Sequence, residues 1–407
     1  MNSRENHSNK VLMIIAQYFP IIGGAEQQAH RLARELIAKG CEVTILTGRW
    51  HRSTPRREVV EGVPVIRHST GWEWMWKFRF GHVVKHYVWE LSLLLHLLVR
   101  GRGYQVLHVH QALHAAFVTL FANRFLRRKV IVKIGCGGEL SDVKMMQQNR
   151  VSPFGRIFWR FIRRCDRMVA INREIAVELL DDGFSPEKVV RIPNGFAAGS
   201  VPSSRAYEGG GPLRAVSVGR LDPQKAFDVL IDGFAHPACP DVLCEIFGGG
   251  REEPVLRELI RDRGVEDRIV LSGIVNDVVD RLRKKDVFVL VSRAEGLSNA
   301  LLEAMAQGLP CIASNIGGNT DLLSPQEEPA EIPRGGFLVV DNGVLVNRDD
   351  PEGLALALRA LANDERLRAN LGCSAQAWVT RHCSLEHVAS RYLDLYKELL
   401  AGEAASA

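Results

Sequence analysis

The sequence predicts an α/β protein of two doubly wound parallel-sheet domains. Three observations carry that expectation. Short apolar, β-branched runs alternate with amphipathic stretches from one end of the chain to the other, the pattern of βα units with helices on both faces of a sheet. The alternation stops at 197–211, a stretch of Gly, Ser and Pro that includes Gly209-Gly210-Gly211, and then restarts. The length, 407 residues, exceeds what one compact core serves and suits two domains of about 200 residues each.

In the first domain, 1–196, the segment 11–17 reads as a strand, 26–39 as an amphipathic helix and 41–47 as a second strand. Strands follow at 106–110, 130–134, 168–171 and 189–192, separated by helical stretches. After the linker at 197–211, the second domain, 212–383, repeats the pattern with strands at 214–218, 243–247, 269–271, 287–291 and 311–313. No local sequence repeat relates the halves, so they share architecture rather than sequence. A last helix, 384–401, carries Val388, Tyr392, Leu395, Tyr396 and Leu399 at helical spacing. That apolar stripe needs a surface to cover, and the first domain is the expected one. From Gly402 onward the chain is expected to fray.

Hydrophobic residues are 46% and charged residues 24%, the balance of a globular protein rather than a disordered or fibrous one. The longest apolar candidate for a membrane span, 87–99, is too short and contains Glu90 and His96. The polar start leads directly into a strand and has no secretory-signal pattern. Eight cysteines without a C-x-x-C pair sit mostly in apolar surroundings, which reads as reduced, buried thiols in a cytoplasmic protein. The net charge of +5 hides an asymmetry: residues 1–195 hold 30 Lys+Arg against 16 Asp+Glu, and residues 196–407 hold 22 against 31. A basic first half calls for an anionic partner, whether nucleic acid, a membrane surface or a phosphorylated acceptor; solvated arginine-rich helix faces would give the same count. The segment 71–102 interleaves Trp72, Trp74, Trp76, Phe78, Tyr87 and Trp89 with Lys77, Arg79, Lys85 and Arg100. Such a mixture suits core packing first, a membrane interface second and base stacking last.

The chemistry concentrates at strand ends. Asp286 to Val291 is a short apolar run; 299–307 is a run of helix formers closed by Gly308-Leu309-Pro310; between them lie Ser292-Arg293-Ala294-Glu295-Gly296-Leu297-Ser298. Glu295 therefore sits at the carboxyl end of a strand, where open α/β sheets bind ligands, just before a helix amino terminus that suits a phosphate. Glu303 lies about a turn and a half into that helix. Gly219-Arg220-Leu221-Asp222-Pro223-Gln224-Lys225 follows the first strand of the second domain and brings two cations to a sheet mouth, where they bind a diphosphate and meet charge developing on a leaving group. Gly248-Gly249-Gly250 is another strand-end turn at which backbone approaches a ligand closely. Gly23-Gly24-Ala25-Glu26 plays that part in the first domain, although the dinucleotide pattern G-x-G-x-x-G is absent there. No D-x-D occurs in the chain, so a resident divalent metal is not called for.

Taken as a set, Gly23-Gly24-Ala25-Glu26, Pro193-Asn194-Gly195, Gly219-Arg220-Leu221 with Lys225, the Glu295-x7-Glu303 spacing, Leu302-Glu303-Ala304-Met305-Ala306, Gly308-Leu309-Pro310 and Gly317-Gly318 resemble family 4 of the retaining glycosyltransferases. The resemblance covers nearly the whole chain. It implies the GT-B fold, two Rossmann-like domains facing across a cleft, with the acceptor on the first and a nucleotide-sugar donor on the second. It further implies that Arg220 and Lys225 grip the donor diphosphate and neutralise the departing nucleoside diphosphate. The backbone around Leu297, Ser298, Asn299 and Ala300 would hold the distal phosphate, Glu295 the hydroxyls of the transferred sugar and Glu303 the ribose. Gly24 and Gly249 would face the donor, and Glu26, His110 and Glu139 stand nearest the acceptor or sugar. The family's His-Gly after the strand at 130–134 is here Gly135-Cys136-Gly137-Gly138, without a histidine, and Lys225-Ala226 replaces Lys-Gly.

The expectation is thus a retaining, metal-independent hexosyltransferase using a UDP- or GDP-sugar, without pyridoxal phosphate. It would act in cell-surface polysaccharide or glycolipid synthesis, in the cytoplasm or peripherally on the inner membrane face, with no nucleic-acid partner. Its acceptor would be lipid-linked or a polyanionic glycan. A nucleotide-sugar epimerase or hydrolase on the same fold, and a nucleotide-sugar-binding protein that has lost catalysis, remain open beside it.

Overall fold

A computed structural model describes residues 9–21, 23–51, 53–71, 81–137, 141–197 and 211–404. It divides into two compact units, Met1–Gly195 with Leu385–Ala407, and Phe196–Ser384. Unit 1 contains β1 (Lys10–Ile14), α1 (Gly24–Ala38), β2 (Glu42–Gly48), β3 (Arg57–Val60), β4 (Val63–His68), α2 (Gly81–Arg100), β5 (Val106–His110), α3 (His114–Leu126), β6 (Lys129–Lys133), α4 (Asp142–Gln147), α5 (Gly155–Ile162), β7 (Arg167–Ala170), α6 (Arg173–Asp181) and β8 (Val189–Arg191). Its strands form one sheet in the order β3-β4-β2-β1-β5-β6-β7-β8. All neighbours are parallel except the β3–β4 hairpin. The central strands are buried because helices cover both faces: β5 at every position, His108 and His110 included, and β1 at all but its first.

Unit 2 contains β9 (Leu213–Val218), α7 (Phe227–Ala235), β10 (Val242–Phe247), α8 (Glu253–Asp262), β11 (Ile269–Gly273), α9 (Val278–Leu282), β12 (Val287–Leu290), α10 (Asn299–Ala306), β13 (Cys311–Ser314), α11 (Gly317–Leu323), β14 (Phe337–Val340), β15 (Gly343–Val346), α12 (Pro351–Asn363) and α13 (Glu365–Cys383). Its sheet order is β11-β10-β9-β12-β13-β15-β14, parallel apart from the β14–β15 pair. In each sheet the winding reverses at one place, between β1 and β5 in unit 1 and between β9 and β12 in unit 2. Those reversals leave a crevice outside the carboxyl ends of the central strands, where ligands of doubly wound sheets bind.

The last helix, α14 (Leu385–Ala404), returns to unit 1. Val388, Tyr392, Leu395, Tyr396 and Leu399 join Val11, Ile15, Ala29, Leu36 and Val43 in one core, so the apolar stripe covers the surface expected for it. The helix continues past Gly402, where fraying was expected, to Ala404.

Two hairpins lie outside the sequence reading. In the first, Val60 pairs with Val63 across Glu61 (φ 45°) and Gly62 (φ 86°), the doubly left-handed two-residue turn that matches strand twist. The second, β14–β15, forms the far edge of the unit 2 sheet. All eight cysteines are free; five are buried, Cys136 and Cys239 are half-buried, and Cys373 is exposed. Among the described residues no helix is long and apolar enough to cross a membrane. Trp89 is an interior residue, its ring 6.3 Å from Trp50, so core packing accounts for it rather than a membrane interface. The aromatic stretch 72–80, the larger part of the linker at 198–210 and Glu139 lie outside the described residues.

Candidate functional site

In unit 2 the loops after β9 and β12 meet at the reversal of the sheet. They are joined through Gln224: Arg293 N donates to Gln224 O (2.8 Å), and the Gln224 side-chain Nε2 donates to Ala294 O (2.8 Å). The Arg293 guanidinium locks the junction by a fork on Asp228 (3.1 and 2.6 Å), with Asp349 Oδ1 at 2.7 Å and Pro223 O at 2.9 Å. These hydrogen bonds, above all the one to Asp228, raise the pKa of Arg293. The sequence reading quoted Arg293 and gave it no part; its place two residues before Glu295 was the available signal.

The junction places Lys225 against Glu295. Lys225 Nζ donates to Glu295 Oε1 at 2.5 Å, and Ser292 Oγ donates to the same oxygen at 2.7 Å. The two side chains are 16% and 8% exposed, so this pair is largely desolvated. Both contacts fall on Oε1; Oε2 has no protein partner among the described residues. Arg220 stands differently. It is 72% exposed, with Nε 2.8 Å from Asp222 Oδ2, a surface cation paired with its neighbour in the loop.

Close backbone packing shapes the same crevice. A Cβ on Gly248 (φ 150°) would stand 1.8 Å from Gly219 O, and one on Gly250 would stand 2.2 Å from Leu221 O. On the other side, a Cβ on Gly318 would stand 1.9 Å from Gly296 O. Gly249 faces Ile274, whose Cγ1 would lie 3.2 Å from an added Cβ. Ser298 caps α10, its Oγ accepting from Leu301 N at 3.3 Å, and Leu297 is buried beneath it. Asn299 and Ala300 form the first turn, where the helix dipole favours an anion. Glu303 follows one turn later, half-buried. One crevice rim thus carries Lys225, Glu295, the start of α10 and the Gly248–Gly250 turn.

Unit 1 holds its own cleft of about 450 Å³ at the ends of β1 and β5. Glu26, His110, Gln17, Trp89, Glu90 and His114 line it. Glu26 lies in the first turn of α1, behind Gly24, and its Oε2 would meet a Cβ on Gly23 at 2.5 Å. Burial first, then His108 and Lys133, pushes the pKa of His110 well down, so its ring is neutral, and its Nε2 is buried without a partner. His114 Nδ1 lies 3.0 Å from Glu90 Oε1, and His114 Nε2 likewise has no partner. Neither His114 nor Glu90 was singled out from sequence, since only the packing of α2 beside α3 brings them together. Gln111, between β5 and α3, has φ 76°, an unfavourable backbone for a residue with a side chain and one that clusters at functional sites.

Where the family's histidine would stand, Gly135 N donates to Asp142 Oδ2 (3.0 Å), which also accepts from Ala112 N (3.0 Å). Burial lifts the Asp142 carboxyl from 3.8 to about 6 despite those two bonds. Its folded value lies above its unfolded one, so the native state binds the proton more tightly. This contribution to stability is complete below about 3.8 and is lost as pH rises through about 6. Asp142→Asn, followed by chemical denaturation from acid to neutral pH, is expected to flatten the fall in unit 1 stability over that window; an unchanged pH slope would place the titration elsewhere.

Comparison with known proteins gives these two crevices a family. The model described as glycosyl transferase 4-like domain matches residues 23–195, and that described as glycosyl transferases group 1 matches residues 207–378. Among curated proteins, the lipopolysaccharide core biosynthesis glycosyltransferase LpsE of Rhizobium meliloti is 30% identical over 58% of this chain and 65% of its own length. The N-acetyl-alpha-D-glucosaminyl L-malate synthase of Bacillus anthracis is 23% identical over 94% of this chain and 96% of its own. Among solved structures, Anabaena HepE in complex with UDP superposes with a TM-score of 0.72 at 18% identity, covering 96% of this chain and 100% of that one. Sucrose-phosphate synthase from Thermosynechococcus elongatus does so at 0.76 and 19%, covering 97% and 100%. With one model on each sheet and whole-chain likeness to such folds, the chain belongs to the group 1 glycosyltransferases and has the GT-B fold.

Proposed function

We propose that the protein moves a hexosyl group from a UDP- or GDP-sugar to a lipid-linked or polyanionic glycan acceptor, with retention of anomeric configuration. The observation that carries this reading is the Lys225–Glu295 pair, desolvated at the sheet reversal and joined on one carboxylate oxygen only. The second oxygen is left to accept from a sugar hydroxyl, while Lys225, Arg220 and the first turn of α10 offer positive charge to a diphosphate. In the step, the bond from the anomeric carbon to the diphosphate oxygen breaks and the bond to the acceptor oxygen forms. The acceptor proton passes to the departing diphosphate, so positioning and charge stabilisation supply the rate without an in-line protein base. No resident metal or pyridoxal phosphate enters this scheme. Unit 2 takes the donor, Glu303 its ribose and Gly249 the nucleotide edge. Unit 1 takes the acceptor in the cleft of Glu26 and His110.

The complex of HepE with UDP supports the donor class, and LpsE, named for lipopolysaccharide core synthesis, supports the acceptor class. Thermal unfolding with a panel of nucleoside diphosphates identifies the donor base, since at equal concentration the tighter ligand raises the transition further. Proton NMR of the first-formed product then reads the anomer. An inverted product, or donor hydrolysis that no acceptor accelerates, would overturn the proposal.

A further inference from the structure

We propose that the outward face of α2, α3 and α5 in unit 1 docks on an anionic lipid bilayer. The proposal deepens the reading of a membrane-borne acceptor and rests on it for its purpose, but its test reads lipid binding apart from transfer. Two features of this face stand outside the catalytic account.

The first is exposed apolar surface on neighbouring helices. On α2, Leu91, Leu95 and Leu98 follow one another at helical spacing and are 58%, 56% and 43% exposed. The Glu90–His114 contact and the approach of Leu126 Cδ1 to Gly101 (2.6 Å from an ideal Cβ there) lay α2 alongside α3. On α3 a ladder of rings runs outward from the core. Phe158 of α5 stacks on Phe117 at 4.0 Å, Phe117 meets Phe121 at 6.1 Å, and Phe121 meets Phe125 at 6.5 Å. At the other end Phe154 lies 6.3 Å from Phe158. Phe154 and Phe125, the two ends, are 58% and 61% exposed. Scattered exposed leucines need no explanation; neighbouring helices that share such a face do.

The second is charge. Residues 91–164, which include the second half of α2 and all of α3 and α5, contain 13 Lys+Arg and 2 Asp+Glu, a balance of +11 that supplies most of the basic excess of the first half. Arg100, Arg102, Arg124, Arg127, Arg160 and Arg164 are exposed around the apolar residues. An interfacial surface with apolar residues in the headgroup boundary and arginines at the phosphates satisfies both features at once. A second copy of this face would bring like charge against like. A nucleic acid would meet the arginines, yet the exposed leucines would gain nothing from it, and the central rings already stack on each other.

Flotation of the full chain with vesicles decides the matter. Binding to phosphatidylcholine–phosphatidylglycerol vesicles is expected to exceed binding to phosphatidylcholine alone and to weaken as salt rises. The triple variant Arg124→Glu/Arg127→Glu/Arg160→Glu should lower partition by at least about 100-fold, each basic residue contributing roughly a factor of five. Leu95→Ser/Phe125→Ser should lower it as well, without moving the unfolding transition. Stabilisation by UDP or GDP should persist in every variant, which separates loss of docking from loss of fold or of donor binding. Equal recovery with neutral and anionic vesicles, no recovery with either, or variants that float like the parent would overturn the proposal.

Discussion

Glu295→Gln is expected to lower turnover by on the order of 10²-fold, the usual loss when one preorganised charge stabiliser is removed. The glutamine keeps the shape of the carboxylate and can still accept from Lys225 and Ser292, so the loss should appear in kcat with unit 2 still folded. Lys225→Ala should cost as much in turnover, and it also leaves a largely buried carboxylate with only the Ser292 hydroxyl as partner. A desolvated charge stripped of its counter-ion destabilises a protein by roughly 3–5 kcal/mol, so this variant should melt earlier as well. Groups that act as a unit are not additive, and the double variant should turn over about as slowly as either single one. Nucleotide-sugar turnover against a pool of acceptors, read beside thermal unfolding, checks all three. Near-parental rates in both single variants would remove the pair from the chemistry.

The second large effect is structural. Gly248→Ala should destabilise unit 2 by about 3 kcal/mol or more, because its Cβ meets a carbonyl oxygen that cannot yield and the backbone angle disfavours a side chain. The Cβ would stand 1.8 Å from Gly219 O, inside the loop that leads to Lys225. Gly40, at φ 91° with nothing within 4 Å of an added Cβ, is the control, since Gly40→Ala meets the backbone penalty without the collision. Calorimetry should show a far larger shift for Gly248→Ala than for Gly40→Ala, and stabilisation by nucleoside diphosphates should fall with the former alone. Equal shifts would mean that the Gly219 and Gly248 turns are not packed as the structure has them.

How much of this was legible beforehand follows the range of the interactions. Glu295 and Glu303 stood out because a strand run, a turn and a helix start lie within one short segment, and local periodicity reports all three. The parallel sheets were legible for the same reason, as buried strands read as apolar runs. What packs across distance was not. Lys225 was marked as a cation for a diphosphate, yet its partnership with Glu295 joins positions 70 residues apart. Arg220 reads identically in sequence and proves exposed and tied to its neighbour Asp222. The Arg293 fork, the Glu90–His114 contact and the buried Asp142 all depend on which loops and helices the folded chain brings side by side. The β3–β4 hairpin is different, since Glu61-Gly62 between alternating apolar residues was a local signal passed over, its strands being short and β3 lying at the sheet edge.

The return of α14 has a consequence for the order in which this protein becomes complete. Unit 2 is an insertion within unit 1, so the fragment ending at Gly195 lacks the residues Val388, Tyr392, Leu395, Tyr396 and Leu399 that close its core. On the ribosome the half made first is finished last. At roughly 5–20 residues per second, the wait for α14 is on the order of ten to forty seconds, during which the seat of that helix stays open to water, chaperones or other chains.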